Sequence, residues 1–194
     1  MCKKKLALCI MLLIAGFARA QSKADAVYDK YVDFNLKRFM GENNAALKLG
    51  EDLLPDVKEL PAKSQISFYN GLAKLYEDDE QAVEAIPLYE KVIAAEPNYY
   101  VAQRALGYLF LQPADELFAK VRSDPGNTEL AAKYKALVQK ALPHLEKAQA
   151  CDPSDETLEF IKKLYINIQD DIGLQSLGAR LAQMAKNCVD VLKD

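Results

Sequence analysis

One histidine, one pair of cysteines and a run of four acids are the residues of this chain to which chemistry could attach. His144 is the only histidine in the sequence. A general base needs an oriented partner, and a metal site needs several ligands. No second histidine exists to share a metal, and Cys151 with Cys188 cannot close a zinc site without further ligands. Glu77-Asp78-Asp79-Glu80 concentrates negative charge, but it lacks the spaced oxygens and central glycine of a calcium loop. It reads as a solvated turn that favours the N-terminus of the following helix. There is no glycine-rich phosphate loop and no G-x-S-x-G elbow. The expectation is a protein with no catalytic residue, no metal and no cofactor, hence not an enzyme. His144 is expected to be a structural or surface histidine.

The two ends set the compartment. Lys3, Lys4 and Lys5 precede a short apolar run, Leu6 to Phe17, and Ala18-Arg19-Ala20 offers small residues where a signal peptidase reads. Residues 1–20 are therefore expected to be a secretory signal peptide cleaved after Ala20. The run is shorter than the roughly 20 apolar residues of a membrane span, and no later segment is apolar enough to cross. The mature chain is expected in a bacterial periplasm or the medium, with no integral membrane segment. Losing Lys3, Lys4, Lys5 and Arg19 takes the formal net charge from −3 to −7. A mildly acidic chain without a basic run is unsuited to nucleic acid or anionic lipid. Cys151 and Cys188 remain after cleavage; in an oxidising compartment they are a possible disulfide, and otherwise two small apolar side chains.

The elements that must position these residues read as helices throughout. Val27, Tyr28, Tyr31, Leu36, Phe39 and Met40 recur at roughly helical spacing, then Gly41-Glu42-Asn43-Asn44 breaks the run, with Asn44 as N-cap. Ala46 to Val57 carries a second helix, and Ser64 is expected to cap a third. No run alternates apolar and polar at strand length. A thirteen-residue stretch, Ala85 to Pro97, returns as Ala141 to Pro153 in the form A-[IL]-P-x-[YL]-E-K-[VA]-x-A-x-[ED]-P. Leu174, Leu177, Leu181, Met184, Cys188 and Val191 form a one-sided stripe suited to a terminal capping helix.

Tyr69-x2-Leu72-Ala73-x2-Tyr76 followed by Ala85-x3-Tyr89-x2-Val92-x4-Pro97 resembles the tetratricopeptide repeat, a helix-turn-helix unit of about 34 residues. Small Ala73 and Ala85 let the paired helices approach, and the tyrosines fill the contact to the next unit. The likeness covers Ser64–Phe110 and Ala141–Pro153. The duplicated stretches lie 56 residues apart, so about 22 residues are inserted in the second unit relative to the usual 34. The resemblance implies an all-α superhelix after the signal. It would comprise a helix pair at 24–60, units at 64–97 and 98–153, an inserted helical hairpin at 112–132, and a degenerate repeat and cap at 154–194. Pro113 is expected to kink or break the outgoing arm of that hairpin.

In that family the first helix of each unit lines a ligand groove. Carried over by position, the implied partner-binding residues are Ser67, Asn70 and Lys74, then Arg104, Tyr108 and Gln112, with Glu77 and Val101 on the same faces. Lys74 and Arg104 can pair with a partner's carboxylate, and Asn70 can bond an extended backbone. The lysine–asparagine carboxylate clamp of chaperone-binding members is not matched, since Asn70 and Lys74 stand in the opposite order. The resemblance implies an exported protein- or peptide-interaction module of the cell envelope. The alternatives are a structural accessory subunit of an envelope assembly and, last, an enzyme that would depend on His144.

Overall fold

The computed structural model describes residues 22–192, so the expected signal peptide and its cleavage site lie outside the described residues. The described chain is helical: α1 (Lys23–Phe39), α2 (Asn43–Leu53), a 3-10 segment (Leu54–Glu59), α3 (Ala62–Asp78), α4 (Ala82–Ala95), α5 (Tyr100–Leu111), α6 (Ala114–Ser123), α7 (Thr128–Cys151), α8 (Asp155–Asn167) and α9 (Asp171–Met184). The helices pack in sequential antiparallel pairs. A single parallel bridge, Tyr99 with Val189, is the β feature among the described residues.

Local chemistry fixes the helix ends. Ser22 Oγ accepts from the Asp25 amide at 3.1 Å while the Asp25 carboxylate accepts from the Ser22 amide at 3.2 Å, a capping box of the kind that stabilises a helix by about 1 kcal/mol. Asn127, Ser154 and Asp170 cap α7, α8 and α9 in the same sense. Three hairpins close alike. After α1, α3 and α8 the chain passes through a left-handed residue, Gly41 (φ 74), Glu80 (φ 58) and Gln169 (φ 56). The next amide in each case reaches back into the last helical turn, Glu42 to Lys37, Gln81 to Tyr76 and Asp170 to Tyr165. This is the Schellman arrangement, which satisfies orphan carbonyls of the helix end. Only Gly41 adopts it without a Cβ penalty.

The duplicated stretch lies on α4 and on the second half of α7, and its positions behave alike. Ala85 and Ala141 are fully buried, as are Tyr89 and Leu145, while Pro87 and Pro143 are exposed. A proline inside a helix leaves the carbonyl four residues back without its partner. Here those carbonyls belong to Val83 and Gln139, both exposed, where water can serve them. Gly107 of α5 lets α7 approach closely: a Cβ there would stand 2.6 Å from Leu145 Cδ2.

Several expectations are corrected. α3 starts at Ala62 with Pro61 before it, and Ser64 is buried within the first turns rather than capping. α2 starts at Asn43, one residue before the expected cap. α1 turns Val27, Tyr31 and Phe34 inward and leaves Tyr28, Leu36, Phe39 and Met40 exposed. The C-terminal stripe is cut: α9 ends at Met184, so Cys188 and Val191 lie on a tail beyond it. In the inserted segment, by contrast, the chain breaks at Pro113 as expected, and α6 follows it. α6 packs on α7 through Phe118 stacked on Tyr134, whose hydroxyl accepts from Asn167 of α8 at 3.2 Å.

Candidate functional site

The residues expected to bind a partner separate into two groups. Ser67 and Asn70, half-buried on α3, line a cavity of about 270 Å³ together with Tyr31, Asn35 and Arg38 of α1 and Tyr99 before α5. Asp190, Val191 and Leu192 of the C-terminal tail border the same space. The others lie along more exposed surface. Lys74 pairs with Asp78 on its own helix and reaches Glu77 at 4.0 Å. Arg104 pairs with Asp152 at 2.7 Å and lies over the Tyr100 ring. Tyr108 stacks on Phe160 of α8 with ring centroids 6.2 Å apart. Val101 of α5 and Gln112, just past its end, are exposed.

The cavity is polar and incompletely satisfied. Asn70 Nδ2 donates to the Tyr99 hydroxyl at 3.4 Å. Its other amide atom, Oδ1, is buried without a hydrogen-bond partner, an arrangement that costs about 1–3 kcal/mol when nothing satisfies it. Arg38 donates to Asn35 Oδ1 at 3.0 Å and sits over the Phe34 ring. Among the described residues no carboxylate lies within ion-pair distance of Arg38. Burial pushes its guanidinium down from the usual arginine range, against the opposing influence of Tyr31, Tyr89 and Tyr99. Gly71 on α3 makes room for it: a Cβ there would collide with the Arg38 guanidinium. Arg38 and Asn35 escaped the sequence reading. The available signal was a cation four residues past Phe34, on the stripe that buries Val27, Tyr31 and Phe34.

A larger cavity of about 560 Å³ lies under the inserted segment, beside Val121, Arg122, Tyr134, Lys135 and Asn167. Asn167, exposed at its rim, donates to the Tyr134 hydroxyl, and among the described residues no unpartnered buried side-chain atom lines it, so nothing there calls for a ligand as Asn70 does.

His144 has a packing environment. Its Nδ1 lies 2.5 Å from Gln103 Oε1, Gln103 Nε2 donates to the Pro97 carbonyl at 2.9 Å, and the ring tilts against Phe110. Burial lowers its pKa from 6.5, Lys140 lowers it further, and Glu90 opposes. The unfolded chain therefore takes up this proton first as pH falls below about 6.5, and native stability declines from there through the folded pKa. His144→Gln, which keeps a hydrogen bond to Gln103 within reach, should flatten the stability profile between pH 7 and pH 5 in urea titrations. An unchanged slope would assign the acid loss to other groups.

Two further clusters are structural. Glu146, on α7 and nearly fully buried, accepts from Arg180 Nη2 at 2.7 Å and Nε at 2.8 Å, and from the Tyr165 hydroxyl. Lys147 Nζ, from the next residue of α7, donates to the carbonyls of Met184 and Asn187 where α9 ends; desolvation lowers its pKa. Beside it Cys151 and Cys188 are joined in a disulfide with Cα atoms 5.6 Å apart. Among the described residues no group of three or more His, Cys, Asp or Glu could hold a metal ion, and no helix is long and apolar enough to cross a membrane. No protein-family model matches the chain, and no curated protein matches it.

Proposed function

We propose that this chain is an exported, tetratricopeptide-like protein acting as a protein- or peptide-interaction module of the bacterial cell envelope, with no catalytic role. The observation that carries the reading is the α1–α3–α5 cavity. Among the described residues it holds a buried Asn70 Oδ1 without a partner and an Arg38 without a carboxylate, beside two of the residues the family pattern marks for binding. Sequential antiparallel pairs, three hairpins with one cap geometry and matched burial of the duplicated stretches support the repeat architecture. The disulfide and the leader-like first twenty residues support an oxidising compartment.

Crosslinking followed by capture from the matching envelope fraction tests this. Lys74→Glu with Arg104→Glu should abolish capture of a specific partner. Both side chains lie in exposed ion pairs, which are worth at most about 1 kcal/mol each, so the thermal midpoint should move by only a few degrees. Failure of the wild-type chain to recover any specific partner would count against the module.

A second reading, a structural accessory that docks by its end, is favoured by one observation. α1 exposes Tyr28, Val32, Leu36, Phe39 and Met40, with Phe39 91 % exposed, and such contiguous apolar surface marks interaction sites. Under that reading Leu36→Glu with Phe39→Glu releases the partner while the Lys74/Arg104 exchange keeps it.

A further inference from the structure

We infer that the cavity and the surface beside it form a site for an extended peptide of apolar–acidic–x–apolar pattern, and that the chain's own tail, Val189-Asp190-Val191-Leu192, is its resident occupant. This rests on the interaction-module reading and specifies the ligand of the same site.

The tail shows the mode of binding. After α9 the chain turns, is tied to α7 by Cys151–Cys188, and then runs parallel to the start of α5. The Val189 amide donates to the Asn98 carbonyl at 2.9 Å, and the Tyr100 amide donates to the Val189 carbonyl at 3.2 Å. This is strand addition onto free backbone groups, and such contacts recognise an extended chain irrespective of its sequence. Side chains then select. Val189 and Leu192 pack on the hydrophobic core, while Val191 is 61 % exposed. On one side of the tail, Lys63 and Ile66 of α3 with Ala95 and Glu96 at the end of α4 enclose a second cavity, of about 310 Å³. On the other, Asp190 borders the Arg38 cavity.

The occupant is an imperfect ligand. Asp190 lies on the rim of the cavity yet makes no ion pair with Arg38, and the Asn70 acceptor stays empty. A segment with a longer acid in place of Asp190 could place its carboxylate on Arg38, and a peptide N–H could meet Asn70 Oδ1. The tail needs only to be outcompeted. Its tether gives it an effective concentration on the order of millimolar, so micromolar peptide cannot enter while the tail is held.

The test uses the full chain. A fluorescein-labelled peptide with the sequence of residues 187–192, serine replacing the cysteine, is titrated by anisotropy against wild type. It is also titrated against a variant carrying Cys151→Ser, Cys188→Ser and Val189→Pro, which loses both the tether and the amide donated to Asn98. Leu192→Asp with the disulfide intact opens the tail independently, should the first variant fail to fold. At least about tenfold tighter binding is expected to the opened chain than to wild type, as removal of a tethered competitor requires. A peptide with glutamate at the Asp190 position should bind more tightly still, and that gain should vanish with Arg38→Met. A folded opened chain, by circular dichroism, that binds neither peptide overturns the inference, as does equal binding to wild type. If the opened chain ignores the peptides while Lys74→Glu with Arg104→Glu still abolishes capture, the ligand is wrong and the module stands. If the peptides bind but that exchange leaves capture intact, the ligand stands and the proposed partner surface fails.

Discussion

Glu146→Ala should destabilise the protein by about 3 kcal/mol, the lower end of the 3–5 kcal/mol lost when one partner of a buried ion pair is removed. Glu146 is 3 % exposed at its side chain and takes both of its hydrogen bonds to Arg180 from one guanidinium, with the Tyr165 hydroxyl as third donor. The substitution leaves the Tyr165 hydroxyl without its acceptor and strips Arg180 of its carboxylate on the α7–α8–α9 contact. The lower figure applies because Arg180 keeps some relief: its side chain is 30 % exposed, and it also donates to the Gly173 carbonyl and to Ser176. Tyr165→Phe should cost only about 1 kcal/mol, the usual worth of one hydrogen bond. The sharper measurement is a double-mutant cycle in urea with Arg180→Met. Glu146→Leu combined with Arg180→Met should recover much of the loss, since apolar replacement of a buried pair is often neutral. A loss under about 1 kcal/mol for Glu146→Ala would mean that water reaches this pair and that α9 docks mainly through Leu177.

What the sequence disclosed about this fold depended on how many signals agreed at a position. At Ala85 and Ala141 they agreed, because a small residue, a helical period and a duplicated context all point inward, and both side chains are fully buried. Along α1 they conflicted. Apolar residues occupy most of its circumference, so periodicity alone cannot choose between a face with Tyr31 and Phe34 and one with Tyr28 and Leu36. Packing chooses: Phe34 meets Phe68 of α3 with ring centroids 5.0 Å apart. The choice also carries Arg38 inward, which is why half of the candidate cavity was invisible beforehand, while Ser67 and Asn70 could be named from the clearer α3. The C-terminus failed for a different reason. Cys188 and Val191 keep helical phase with Leu177 and Leu181, yet Ala185-Lys186-Asn187 carries neither glycine nor proline to mark a stop. The helix ends there in three dimensions, where Lys147 takes the carbonyls of Met184 and Asn187 and Cys151 holds Cys188. These are long-range contacts, and local periodicity holds no trace of them.

Reducing the disulfide, or replacing Cys151 and Cys188 by serine, should lower stability by about 2–4 kcal/mol. The bond closes a segment of 37 residues that contains α8 and α9, and chain-entropy arguments give a little under 4 kcal/mol for a loop of that length. The lower part of the range allows for residual structure in the open unfolded chain and for the tail's position at one end of the molecule. Two consequences separate in the reduced state. The first is global: the urea midpoint falls, and any rise in slope reports the less compact unfolded chain that the open loop allows. The second is local, because among the described residues the tail beyond Cys188 is held by a pair of backbone bonds and the packing of Val189 and Leu192. Such a segment opens at far lower free energy than the core. The Tyr100 amide, which reports directly on the Val189 carbonyl, should therefore exchange with solvent much faster after reduction. Amides of α5 near the fully buried Leu106 should be accelerated only by the global term. Equal loss of protection at both positions would mean that the tail and core unfold together. Unchanged protection at Tyr100 would mean that Val189 and Leu192 hold the tail without help from the bond, and the groove would then stay filled in either redox state.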